Sequence, residues 1–326
     1  MSPRSPLELA AILAAEYGDV LEPVNYIRGV SMSGRLRLQQ LAPDRQDPAP
    51  AMVELVEPLL EPGSLAEIAQ ADGSVHAGFV WADELSDATG DRRYIDAQLQ
   101  IAARYLDTGP DGLPAPIDPD DRVEEIFFAS AVLGRAYRAT SDPRYIDVLT
   151  SLLEGWSAQP DSGLWWHCKA SPFYWGRGNA FAALGFAEAL TYLPEAHGSR
   201  PALLTKHRAH LEALVRHQDP SGAWHQLIDR PDSYRELTAT AMIGYVLARG
   251  LKRGWLGDEF HDPLTNAWSA VDERVDDSGM VRDACAGTGP MPALDDYLRR
   301  PIADGHDDRA GSMALWFAVE CAQVEG

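Results

Sequence analysis

The sequence predicts an all-α protein, an (α/α)6 toroid of alternating inner and outer helices with short strands in the inter-hairpin loops. Three observations carry this expectation. From residue 75 onward, helical stretches that are apolar on nearly every face alternate with amphipathic ones. The segment ATGDRRYID at 88–96 returns as ATSDPRYID at 139–147, an offset of 51 residues. A small-residue turn recurs at Asp72-Gly73, Asp111-Gly112, Ser162-Gly163, Ser221-Gly222 and Ser278-Gly279, at spacings of 39, 51, 59 and 57 residues. Each interval is long enough for one helical hairpin, and hairpins repeated at such a period stack. A helix apolar all round must be surrounded by protein, whereas a one-faced helix borders solvent. An open superhelix would leave one face of the apolar helices wet, so closure into a ring is expected, with residues 1–326 forming one domain.

In chain order, residues 6–17 pattern as a helix, 18–49 as an irregular Gly- and Pro-containing stretch, and 50–60 as helix again. The apolar helices are 124–139, 178–193, 236–251 and 309–323; the amphipathic ones are 92–106, 143–156, 201–217 and 258–274. In each echo a helix end and tight turn lead to an Asp that caps the next helix. In a closed ring the loops entering the inner helices gather at one end. Those loops are Asp72 to Phe79, Asp118 to Glu125, His167 to Phe181, Trp224 to Glu236, and Cys285 to Asp308.

The formal charge of −21 argues against nucleic acid, which requires a basic stripe, and against anionic membrane surfaces. Three cysteines without a CxxC pair indicate neither a disulfide framework nor a zinc site. Glu8 and Glu16 interrupt the only apolar run near the start, so a secretory leader and a membrane span are not expected. The reading is a soluble cytoplasmic protein, monomer or homodimer.

Chemistry-bearing residues concentrate at 161–193, where Trp165, Trp166, His167, Tyr174, Trp175, Arg177 and Asn179 precede an apolar run whose one charge is Glu188. Aromatic and cationic groups at the first turn of a buried helix fit a pocket for a polar, anionic ligand; aromatic clusters are also ordinary core. Glu124 and Glu125 open the next inner helix and supply a general acid or base, although Asp118, Asp120 and Asp121 precede them and Asp121-x-x-Glu124 also reads as a capping box. His76 lies near another inner-helix start and is either catalytic or a packed core histidine. Trp224-His225 repeats the Trp166-His167 placement after an equivalent turn, and flat rings there suit sugar faces. His207 and His210 read as a surface pair, since no third metal ligand is near. The loop Asp304–Asp308 lacks the EF-hand pattern and reads as solvated.

WGRGNAF at 175–181 resembles the Trp-x-Arg-Gly-(Gln/Asn)-x-Trp signature of glycoside hydrolase families 88 and 105, the unsaturated glucuronyl and rhamnogalacturonyl hydrolases. GLWWH at 163–167, HQDPSGAWHQLID at 217–229, YRELTATAM at 234–242 and CAGTG at 285–289 extend the resemblance, in order, from about residue 75 to the C-terminus. It implies the same toroid and an oligosaccharide substrate carrying an unsaturated uronic acid at its non-reducing end. The implied reaction hydrates the C4=C5 enol ether, with no metal or organic cofactor. Glu124 stands where these families open the motif D-x-L-(F/Y)-M with their catalytic Asp, His76 where family 88 has a second Asp, and Phe181 where the signature ends in Trp. The resemblance thus implies Glu124 as acid/base with Glu125 in reserve and His76 and His167 assisting. Arg177 would pair with the substrate carboxylate. Trp165, Trp166, Tyr174, Trp175, Asn179, Trp224, His225, Glu236 and Thr238 would line the substrate. A sugar epimerase built on two histidines, or a uronide-binding protein with a dead site, is the alternative.

Overall fold

The computed structural model describes residues 3–108, 116–118 and 121–325. Fifteen α-helices are seen among them: α1 (Pro6–Glu16), α2 (Tyr26–Leu41), α3 (Ala49–Val56), α4 (Pro62–Ala69), α5 (Gly73–His76), α6 (Ala82–Thr89), α7 (Arg93–Ala102), α8 (Glu125–Thr140), α9 (Pro143–Gly155), α10 (Gly176–Tyr192), α11 (Arg200–Val215), α12 (Leu237–Lys252), α13 (His261–Asp272), α14 (Leu294–Leu298) and α15 (Asp308–Glu325). The inner ring runs α2, the broken segment α5–α6, α8, α10, α12 and α15, with α15 packing back on α2 to close it. Outside lie α1, the pair α3 and α4, α7, α9, α11 and α13, each against the inner helix that follows or precedes it. The expected (α/α)6 toroid is the observed fold. Strands are confined to the loops: β1 (Trp224–His225) pairs antiparallel with β2 (Arg235–Glu236), and β3 (Val281–Cys285) with β4 (Ile302–Gly305).

The repeated turns have one geometry where they are described. Gly163, Gly222 and Gly279 all take positive φ, and each donates its N–H to the residue three or four back, Gln159, Asp219 and Asp276. Asp72-Gly73 differs, because Asp72 caps α5 instead; Asp111-Gly112 lies outside the described residues. The two echoes also match. Gly90 and Ser141 are left-handed helix ends, and Asp91 and Asp142 accept the N–H of Arg93 and Arg144.

Four expectations are corrected. The stretch 18–49 is not wholly irregular: it contains the first inner helix, α2. Its glycines are contact points rather than breakers, since a Cβ at Gly29 would sit 2.3 Å from the Gly78 carbonyl oxygen and one at Gly34 would meet Leu315. Its arginine Arg37 is half-buried and bonded to Glu84 at 2.7 Å. The Asp121–Glu124 capping box does not form: α8 begins at Glu125 without a side-chain cap, and Asp121 pairs with Lys169 at 2.9 Å. The loop 304–308 is solvated as expected, with Asp304 and His306 exposed, but it is partly strand rather than plain loop, with Asp304 accepting the N–H of Asp283 and Asp308 paired with Arg28.

His207 and His210 are not a surface pair. They occupy the inward face of α11, 0% and 3% exposed, with His207 stacked on Phe186 and His210 edge-on to Trp165. Burial pushes each from the ordinary 6.5 down to about 3, and His207 adds to the effect on His210. A depressed folded-state value stabilises the fold above about pH 6.5 and loses that contribution as pH falls toward 3. The denaturation midpoint is therefore expected to drop on acidification below pH 6.5. His207→Leu/His210→Leu should flatten that drop between about pH 6.5 and 4.5, above the range where carboxylates titrate. An unchanged slope in that window, followed by urea titration, would contradict the assignment.

The end of the ring opposite the converging loops is closed by buried charge. Glu188 of α10 accepts from Arg135 of α8 at 2.8 Å and from Arg249 of α12 at 2.7 Å. Arg249 reaches on to Glu320 of α15 at 2.7 Å. Arg37 of α2 bonds Glu84 of α6, and Asp83 beside it faces Arg135 and Arg138. Every inner helix supplies a member. Burial alone would raise Glu188, but the guanidiniums of Arg135, Arg249 and Arg37 bring it down to about 2. Glu84 has the opposite balance: burial and the adjacent Asp83 charge lift it to about 7.

Candidate active site

The loops at the other end are stitched to one another around the ring. Gly73 N–H donates to Asp118, Val123 N–H to the His167 carbonyl, Gly176 N–H to the Gln226 carbonyl, and Cys285 N–H to the Glu236 carboxylate. Arg28 and Asp308 pair across α2 and α15. These bonds fix the rim against which the site is built.

Glu124 is the residue just before α8, 9% exposed, where a helix start favours negative charge. Its Oε1 lies 3.2 Å from His167 Nε2, and its Oε2 is buried with no hydrogen-bond partner among the described residues. His167 is fully buried. Its Nδ1 lies 2.5 Å from the Tyr297 hydroxyl, and its ring rests 4.4 Å from that of Trp175. The Tyr297 oxygen also accepts the Met291 N–H. Tyr26, from α2, adds a ring to the adjoining Phe128–Phe181 contact, and its hydroxyl environment includes Glu124, Arg177, Arg309 and Asp307. A carboxyl with one bound and one unsatisfied oxygen, backed by an imidazole, is suited to proton transfer.

Glu125 is turned elsewhere. Its Oε1 accepts the Ile117 N–H, its Oε2 lies 2.4 Å from where a Gly73 Cβ would be, and it is fully buried. Burial, reinforced by the charge of Asp118, raises its carboxyl well above the ordinary range. His76 is likewise not brought to Glu124: its Nε2 faces the Ile68 carbonyl at 3.1 Å and its ring packs on Tyr105. Asp120 lies outside the described residues.

The expected carboxylate ligand Arg177 is a brace. It is 2% exposed, its terminal nitrogens donate to the Cys285 and Ala286 carbonyls at 2.7 and 3.0 Å, and it lies over Trp175. Arg177→Ala is therefore expected to lower kcat/KM on charged and neutral ligands alike, by loosening the 285–289 loop. A loss confined to uronates would restore it as a ligand. Trp224 is core rather than a stacking wall, fully buried with its indole N–H given to the Leu214 carbonyl. Trp165 packs on Phe186. His225 is engaged by the Ser233 carbonyl and Asp219. Glu236 caps α12 through Thr238 and Ala239 N–H and leaves Thr238 buried behind it. Asn179 clamps the backbone of Trp165 and Trp175. Tyr174 is half-buried and accepts from Ser162, and Trp166 lines a cavity of about 320 Å³ with Trp156, Trp165, Val123 and Cys168. The structure thus unites Glu124, His167 and Trp175, with Arg177 and Asn179 as their supports.

Tyr26 and Tyr297 are the residues missed. Tyr297 lies in the loop Cys285 to Asp308, which was expected at this end, but DDYLRR carries no spacing that singles it out.

No helix among the described residues is long and apolar enough to cross a membrane. The chain is 36% identical over 140 residues to an unsaturated rhamnogalacturonyl hydrolase of Bacillus subtilis (strain 168), covering 42% of this chain and 39% of that protein. It is 28% identical over 175 residues to an unsaturated 3S-rhamnoglycuronyl hydrolase of Alteromonas sp. (strain LOR), covering 48% and 42%. The matched stretches thus span about two-fifths of the length of these curated relatives. In three dimensions it resembles a glycosyl hydrolase family 88 protein of Bacteroides vulgatus, with a TM-score of 0.77 over 99% of each chain at 16% identity, a likeness of fold. The profile of Glycosyl Hydrolase Family 88 matches residues 123–325, from the residue before Glu124 through the closing helix, and the chain belongs to that family.

Proposed function

We propose that the chain is a carbohydrate-active hydrolase releasing an unsaturated uronic acid from the non-reducing end of oligosaccharides. The observation that carries this reading is the Glu124–His167 pair at the end of the ring where the loops converge, with one Glu124 oxygen unsatisfied. Family membership and the activities named for the two relatives support the substrate class. In the proposed reaction the Glu124 carboxyl gives its proton to C4. The resulting carboxylate takes a proton from water as the water oxygen bonds C5. The C5 hemiketal opens to a ketone, and the hemiacetal left at C1 collapses, releasing the next sugar with its hydroxyl restored. One water is consumed and Glu124 ends protonated, as it began. His167 Nε2 faces the carboxylate stage of this cycle and offsets its charge.

Glu124 is one methylene longer than the Asp of the family motif, and its position before the first turn of α8 lets that extra length reach the His167 side. Oligosaccharides produced by polysaccharide lyases test the reading directly. Loss of the ultraviolet absorbance of the conjugated C4=C5 carboxylate, in step with released reducing sugar, is expected. Absence of turnover on every such substrate would remove the reading.

A further inference from the structure

We propose that Tyr297 is a positioning residue, whose hydroxyl holds His167 in the tautomer that carries its proton on Nε2 and so keeps Glu124 set for proton transfer. The inference rests on the proposed hydrolase reading for its kinetic part and on geometry for the rest. With the proton that Glu124 transfers carried on its unpartnered Oε2, its Oε1, 3.2 Å from His167 Nε2, is the accepting oxygen and that nitrogen donates. A neutral imidazole then has a bare Nδ1, and the group 2.5 Å from it is the Tyr297 hydroxyl. Tyr297 already accepts the Met291 N–H, which leaves its own proton to donate. The neighbouring hydroxyl, Ser171, donates to the Met291 carbonyl at 2.6 Å and also stands within reach of the Tyr297 oxygen as a donor, which leaves the Tyr297 proton for Nδ1.

The surroundings favour a fixed arrangement. Tyr297 is fully buried on α14, and burial raises its hydroxyl above the ordinary range, so it stays a donor throughout the neutral pH range. His167 is 0% exposed and held between Trp175 and Tyr297. The other titratable groups around the pair are Glu125 and Asp118 on the side of α5, Tyr26 on α2, Cys168 and Arg177. Among the described residues, the hydrogen bonds of these groups bring none of them to Nδ1. α14 is five residues long and stands between the β3–β4 hairpin strands in sequence, so a short excursion of the closing loop completes the site.

The experiment pairs a spectroscopic with a kinetic measurement on Tyr297→Phe. Nitrogen-15 NMR of imidazole-labelled protein at about pH 8, above the ordinary histidine range, reads the tautomer. The His167 signals are identified by their loss in His167→Asn. The wild type is expected to show Nε2 protonated and Nδ1 bare, and Tyr297→Phe a mixture of both neutral tautomers. On a lyase-generated disaccharide, kcat is expected to fall by about 10–100-fold, the scale of a partner that orients a working histidine, with KM little changed. A wild-type Nδ1–H tautomer, or an unchanged tautomer and kcat in Tyr297→Phe, overturns the proposal. Because the tautomer is read without substrate, it decides the matter even if the wild type turns over none of the uronides, an outcome that would instead remove the hydrolase reading.

Discussion

Glu124→Gln is expected to lower kcat on unsaturated uronides by about 10²–10⁴-fold, the range of a general acid–base group. Binding should change little, because the amide keeps the size and polarity of the acid. The amide oxygen can still accept from His167 Nε2 at the 3.2 Å position, so the support of the site should survive. Glu124 makes no side-chain cap for α8, so no cap is lost. Glu125→Gln is the control. Its carboxyl faces Ile117 and Gly73 rather than His167, and burial favours its neutral form, which an amide imitates. That variant should keep substantial activity. Its raised acid also has a sign: stability that Glu125 contributes below about pH 4.5 is lost as pH climbs toward its raised value, so Glu125→Gln should be less sensitive to rising pH. Kinetics of the two variants on one substrate, with urea midpoints at several pH values, read all of this.

Glu188→Ala should be the most damaging change to stability. It strands Arg135, fully buried, and Arg249, 7% exposed, without the carboxylate that both grip. Removing one partner of a buried pair costs about 3–5 kcal/mol, chiefly the penalty of the uncompensated charge. The Tyr245 hydroxyl, which donates to the same carboxylate at 3.2 Å, would lose its acceptor as well. Loss should therefore exceed that of Glu84→Gln, whose acid is lifted to about 7 and is closer to neutral in the fold. Equal urea midpoints for the two variants would show that the closing charges are not coupled through Glu188.

These residues also explain where the sequence could be read and where it could not. α10 was legible because Ala180 to Leu190 holds a single charge, and a run that apolar has to be interior. The same single charge, Glu188, gave no hint of its partners, which come from α8 and α12, 53 and 61 residues away. α2 was illegible for the converse reason. Its arginines and glycines look like loop, yet Arg37 is neutralised by Glu84 inside the ring and Gly29 admits the backbone of Gly78. His207 and His210 looked exposed because periodicity on an amphipathic helix with several charges does not say which polar residue faces inward. At the site, motif order named Glu124, His167 and Trp175, which the fold brings together. It could not show that Arg177 is bonded to the 285–286 carbonyls, because a guanidinium that braces a loop and one that binds a carboxylate occupy the same place in a sequence. Tyr297 reaches His167 across 130 residues through tertiary folding alone.

The most direct test of the proposed chemistry compares two substrates with the same leaving sugar, one with the C4=C5 double bond and one with it reduced. Hydration of the enol ether requires the double bond, so turnover of the unsaturated uronide and none of the saturated one is predicted. Comparable rates on both would place the attack at the anomeric carbon and contradict the account.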